Sequence, residues 1–185
     1  MNVVKHQNNI YPEFQTKGNA AQFAIPFAKH ICKGYGLDIG AGRRDWALPN
    51  SVVVDPEITD WDEENNYDAY NLPPGPIDFI FSSHCLEHLE DWVYALQIWT
   101  AALEIGGDIF LYLPDYSQTY WRPWHNRHHL NIFTPTIIRD FLEDHGYTKI
   151  FVSGIDLNNS FIATAEKQSK SLKPQQAKVY KREDH

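Results

Sequence analysis

Apolar and polar positions succeed one another in blocks whose spacing changes along the chain. Residues 1–18 are polar with scattered aromatics (Tyr11, Phe14) and predict an irregular arm. From Asn19 onward Phe23, Phe27 and Ile31 recur every fourth residue, marking one apolar face of a helix that Pro26 would kink or restart. A short strand carrying Asp38 follows, then a glycine turn at Gly40 and Gly42, then a second strand, Val52 to Val54, ending in Asp55. Only about ten residues separate the turn from that second strand, where a full crossover needs about a dozen or more, so one helical turn is the most that fits. Residues 57–76 are acidic and turn-rich. Ile77 to Ser83 is a near-continuous apolar run of strand length, as in a central parallel strand covered on both faces.

Glu87, Glu90 and Asp91 precede Trp92, Leu96, Trp99 and Leu103, which predicts a helix with acidic residues in its first turn and Gly106-Gly107 as its stop. Ile109 to Leu113 is the next buried strand, and a long aromatic loop runs from Pro114 to Phe133. Thr134-Pro135 then opens a helix through Leu142, with Gly146 just past its end. Two last strands, near Lys149 to Val152 and Phe161 to Ala165, flank a turn at Asn158 and Asn159. The alternation predicts an α/β fold: three layers around a mostly parallel central sheet, with a shortened first crossover and ligands at the carboxyl ends of the strands. The expected division is an arm and helix over 1–33, a ligand-binding domain over 34–166 and a disordered tail over 167–185.

Composition narrows the partners. Hydrophobic residues make up 43% and charged residues 22%, the proportions of a soluble globular protein rather than a disordered one. The net charge of −8 is concentrated in the body, since the tail from Lys167 holds six Lys and Arg against two Asp and Glu. An acidic body repels polyphosphate, which argues against nucleic acid. No apolar run is long enough to span a bilayer, and two cysteines, Cys32 and Cys85, give neither a disulfide framework nor a metal knuckle. No membrane partner and no metal are expected, and a cytoplasmic, reducing location is.

Gly34 to Glu57 carries the first chemistry. Glycines let a backbone turn sharply and approach a ligand closely, and an acidic side chain at the tip of the following strand can accept hydrogen bonds from both hydroxyls of a ribose. The same pattern also serves ordinary turns, with Asp38 and Asp55 as caps.

Four segments in order sharpen the choice: Leu37-Asp38-Ile39-Gly40-Ala41-Gly42, Val54-Asp55, Asp78 through Leu89, and Gly106 through Pro114. Together they resemble class I S-adenosylmethionine-dependent methyltransferases, and most closely the type 11 domain, over roughly residues 34–166. The resemblance implies S-adenosyl-L-methionine as cofactor. It sets Gly40, Ala41 and Gly42 against the methionyl part, Asp38 near its amino group, and Asp55, followed by Pro56, on the ribose. It also sets Asn71 and Leu72 at the adenine, and Ser83 and His84 beside the sulfonium. Arg43-Arg44 stands where the family has a further glycine.

Methyl transfer from a sulfonium asks mainly for alignment, with a base only where the acceptor must lose a proton. The Pro114 to Phe133 loop supplies candidates for holding the acceptor: Tyr116, Tyr120, Trp121, Trp124 and Arg127. His84, Asp115, His128 and His129 are the candidate catalytic groups, and histidine titrates near neutrality. These residues could equally roof the core. The run after Ile77 lacks the Asn-Pro-Pro-Tyr and Pro-Cys patterns of DNA methyltransferases, so with the acidic body the expected acceptor is a small molecule such as a sugar hydroxyl or carboxylate, and the resemblance of small enzymes of this kind to those of glycan or polysaccharide metabolism implies that setting.

Three alternatives stand beside this reading. One is a noncatalytic S-adenosylmethionine sensor or scaffold. Another is a nicotinamide enzyme, which would need a fuller glycine run than Arg44-Asp45-Trp46 provides. The third is a zinc hydrolase using His84-Cys85-Leu86-Glu87-His88, which requires that motif to lie within a helix.

Overall fold

The computed structural model describes residues 2–6, 9–13, 18–58 and 67–168. Six strands form one sheet in the order β4-β3-β5-β6-β8-β7: β3 (Gly36–Ile39), β4 (Ser51–Val54), β5 (Ile77–Ser83), β6 (Leu103–Pro114), β7 (Tyr147–Val152) and β8 (Ser160–Lys167). β4, β3, β5 and β6 run parallel, and β8 pairs antiparallel with both β6 and β7.

The two faces of β5 and β6 read directly from alternation. Phe79, Phe81, Phe110 and Tyr112 point to one side and pack on Ala24 and Ala28 of α1 (Ala21–Ile31), whose small residues let the helix approach the aromatic rings. Ile80, Ile109, Leu111 and Leu113 point to the other, under α2 (Trp92–Ala102) and α3 (Pro135–Asp144). Three layers result. Asp91 caps α2 by accepting from the Tyr94 amide at 2.9 Å, and Thr134 caps α3 with Pro135 in its first turn.

Three expectations change. The arm is not irregular: β1 (Val3–His6) and β2 (Asn9–Pro12) pair antiparallel as a separate hairpin, in which the β-formers Val3, Val4, Ile10 and Tyr11 outweigh the polar composition. Gly106-Gly107 does not stop α2, which ends at Ala102. Leu103 already belongs to β6, and the glycines sit inside that strand where its pairing with β5 shifts register between Ile77 and Phe79. A Cβ on Gly107 would lie 2.8 Å from the Asp78 carbonyl oxygen, so the irregularity requires glycine there. The expected tail boundary also moves, because Lys167 closes β8 and its ammonium donates to the Leu103 carbonyl. The Gln168 amide donates to the Gly146 carbonyl at 3.0 Å, and the expected tail from 169 onward lies outside the described residues. Among the described residues no helix is long and apolar enough to cross a membrane.

Candidate active site

β3, β4 and β5 all end at one edge of the sheet, and the chain turns there three times. After β3, Gly40 and Gly42 adopt φ of +80° and +67°. A Cβ on Gly40 would meet Cys85 Cβ and Sγ at 2.5 Å, whereas one on Gly42 would meet open space. The first glycine is thus demanded by packing, and the second leaves bare backbone beside a void. The shortened crossover is a single 3-10 turn, Arg44–Trp46, as its length predicts. Buried Leu48 returns the chain to the core and its amide donates to Asp38 Oδ2 at 2.7 Å. After β4, Asp55 folds back over the glycine turn: Oδ2 accepts from the Gly42 amide at 2.7 Å and Oδ1 from the Glu57 amide at 2.9 Å. After β5, His84 takes φ +52°, uncommon for a residue with a side chain, and its ring packs between Tyr112 and Trp121 with Nε2 3.0 Å from Ser160 Oγ.

These turns bound a cavity of about 730 Å³. Gly40, Gly42, Asp55, Pro56 and His84 lie on its wall, with Glu57, Cys85 and His88 beside them. Arg127, His128 and Leu130 close the far rim. Other residues singled out in the sequence sit elsewhere. Asp38 is buried behind the wall, held by Leu48, and Ser83 is buried without a place on it. Ala41, Asn71 and Leu72 are also off the wall; the 67–71 turn presents Asp68, Ala69 and Tyr70 instead. That turn is pinned from below by Trp99, whose indole donates to the Ala69 carbonyl at 2.8 Å. No sequence pattern signals this, since Trp99 lies 30 residues away.

Most of the aromatic loop folds on itself rather than over the cavity. Arg122 stacks on Tyr116 at 4.2 Å and lies 5.7 Å from Trp124, and Trp121 contacts His84 and His129 edge-on. Tyr116, Tyr120, Trp121, Trp124 and Asp115 are therefore not on the wall. Asp115 is 7% exposed and serves as a turn cap, accepting from the Ser117 amide at 2.8 Å. His129 is buried against His88 and Trp121. The loop is thus largely a roof, with only its Arg127–Leu130 end reaching the cavity.

Burial dominates the electrostatics. It pushes the Asp38 carboxyl up to about 7, against the opposing pull of the Leu48 amide and with added repulsion from Asp55. Glu87, wholly buried, is pushed up to about 8 for the same reason. His84, His88 and His129 are all shifted down by burial, His129 to about 4, so all three rings are neutral at neutral pH. The His-x-x-Glu-His run does not form a helical metal pair. It spans a sharp turn and the 3-10 segment Leu86–His88, and His84 is directed to Ser160.

A parallel sheet with a glycine turn after its first strand, an acid at the tip of the next and a cavity over both defines a nucleoside-cofactor enzyme of the Rossmann-like class. The chain matches the family described as a methyltransferase domain over residues 17–151, and it belongs to that family of class I S-adenosylmethionine-dependent methyltransferases. The cofactor is S-adenosylmethionine. No curated protein matches. Among solved structures it resembles an S-adenosylmethionine-dependent methyltransferase of Thermotoga maritima, with a TM-score of 0.66 at 17% identity over 84% of this chain and 92% of that one. A second, from Archaeoglobus fulgidus, gives 0.62 at 18% identity, covering 84% and 97%. A third, 1,6-didemethyltoxoflavin-N1-methyltransferase of Burkholderia thailandensis with S-adenosylhomocysteine bound, gives 0.62 at 17%, covering 85% and 82%.

Proposed function

We propose that this methyltransferase acts on a small molecule that enters over Arg127, His128 and Leu130, and that the acceptor atom is an oxygen of a sugar hydroxyl or carboxylate. The observation that carries the reading is the cavity of about 730 Å³, whose lining brings the glycine turn and Asp55 together with Arg127, His88 and His128. That volume suits a cofactor with a small acceptor.

The residues present fit the cofactor. The bare Gly42 backbone at φ +67° leaves room for a ligand against the turn. Each Asp55 oxygen already holds one amide, which fixes the carboxylate, and each retains a second lone pair for a ribose hydroxyl. Asp68, Ala69 and Tyr70 border the same cavity where a base would lie. When bound, S-adenosylmethionine supplies a methyl group activated on a sulfonium. This chain's residues then orient the acceptor and exclude water. The Arg127 guanidinium would pair with an anionic group on the acceptor, and the His128 side chain beside it borders the cavity where an acceptor hydroxyl would give up its proton.

Crystals grown with S-adenosylhomocysteine and soaked with neutral sugars and uronic acids test this. Density against Arg127 and His128, with methyl transfer to the same compounds that Arg127→Ala weakens through KM, is the expected result. Turnover confined to a protein or nucleic acid would overturn it.

A further inference from the structure

We propose that Glu87, His88 and His129 hold a divalent first-row transition-metal ion at the acceptor side of the cavity. One ligand atom from each of these residues lies within 4.8 Å of the others. Glu87 is 0% exposed, and among the described residues neither of its carboxylate oxygens has a hydrogen-bond partner. A proton on Glu87 would serve only one of these oxygens and leave the other buried and unmatched.

The surrounding rings point the same way. His88 Nδ1 lies 2.7 Å from the His128 carbonyl oxygen, an acceptor, so that nitrogen carries the proton. In the neutral ring Nε2 then bears a lone pair, and it faces Glu87 Oε1 at 3.8 Å. His84 Nδ1 is 3.4 Å from the same oxygen without forming a hydrogen bond to it, while its Nε2 is taken up with Ser160. His129 packs edge-on against His88, with ring centroids 4.8 Å apart. Lone pairs converging on a carboxylate repel one another unless a proton or a metal cation lies between them, and of the two only a metal ion engages all three side chains at once.

The donor set fits such an ion. Two imidazoles and a carboxylate suit zinc, manganese, iron(II) and cobalt(II). An imidazole whose far nitrogen is held by a backbone carbonyl has the fixed tautomer that metal ligation uses. Bonds of about 2.1 Å require the donors to draw together, and of the three side chains that of His88, 42% exposed, is the least confined by packing. Three protein ligands leave positions open, and His88 is on the cavity wall, so an acceptor oxygen entering over the rim meets them. That use of the metal rests on the methyl-transfer reading above; the metal site itself does not.

The test takes tag-free protein stripped with a chelator and titrates it with cobalt(II), read by visible absorption, and with zinc by calorimetry. The expected result is one equivalent bound, with affinity falling at least about tenfold in both Glu87→Gln and His88→Ala. S-adenosylhomocysteine calorimetry on the same samples reports folding and separates the two claims. Cofactor product bound without metal, or metal bound equally by wild type and both variants, overturns the metal site and leaves the methyltransferase reading intact. Stoichiometric metal lost in both variants supports the site even where the acceptor assignment fails.

Discussion

Replacing Gly40 with alanine tests the packing of the glycine turn, and its cost can be worked from two separate sources. At φ +80° a side-chain-bearing residue pays about 1–2 kcal/mol for the left-handed backbone. The new Cβ would also stand 2.5 Å from both Cβ and Sγ of Cys85, and while the sulfur can rotate, the Cβ is fixed by the backbone turn that follows β5. Overpacking of that kind costs about 1–3 kcal/mol. The sum, about 2–5 kcal/mol, is a large share of a typical total stability of about 5–15 kcal/mol. Gly42→Ala is the matched control: at φ +67° it carries the backbone cost but meets nothing within 4 Å. Urea unfolding followed by tryptophan fluorescence should show the midpoint lowered for Gly40→Ala by about 1–2 M and for Gly42→Ala by about half of that or less, given slopes of about 1–3 kcal/mol/M. Equal midpoints for the two variants would refute the claim that Gly40 is dictated by its contact with Cys85.

Two further outcomes follow from the site's supports. Trp99→Phe removes the indole that holds the Ala69 carbonyl, and is expected to cost about 1–3 kcal/mol and to weaken S-adenosylhomocysteine binding, because the 67–71 turn borders the cavity; unchanged binding by calorimetry would detach that turn from the cofactor. Asp38 is pushed up to about 7 in the folded chain from an ordinary 3.8, so between those values the folded state keeps a proton that the unfolded state has lost, and stability falls as pH rises through that window and levels off above it. Asp38→Asn should flatten the fall in urea midpoint between pH ~4 and ~7; an identical slope in the variant would contradict the burial argument.

How much of this was visible in the sequence depends on the range of the interaction. Ile77–Ser83 reads as a buried strand because both of its faces are covered, and Thr134-Pro135 reads as a helix start because the cap is local. Asp55 was legible at the tip of its strand for the same reason. The hairpin of residues 3–12 was not, since its pairing shows through weak β-propensity in a polar segment. Gly106-Gly107 misled because two glycines look alike whether they end a helix or admit a close backbone contact inside a strand. The aromatic loop was legible as ordered, but its direction was not: whether Trp121 faces the cavity or the roof is decided by His84 and His129, one of them 37 residues away. The convergence of Glu87 and His88 with His129 has the same character, because a turn and a distant loop meet only in the folded chain.

The central claim is that the turn after β3 and the carboxylate of Asp55 form the cofactor site, and calorimetric titration with S-adenosylhomocysteine tests it most directly. Wild-type protein should bind one equivalent with a dissociation constant in the micromolar range, about −8 kcal/mol. Asp55→Ala should lose that binding while retaining a cooperative unfolding transition. Undiminished binding by a folded Asp55→Ala variant, or no binding by the wild type, would contradict it.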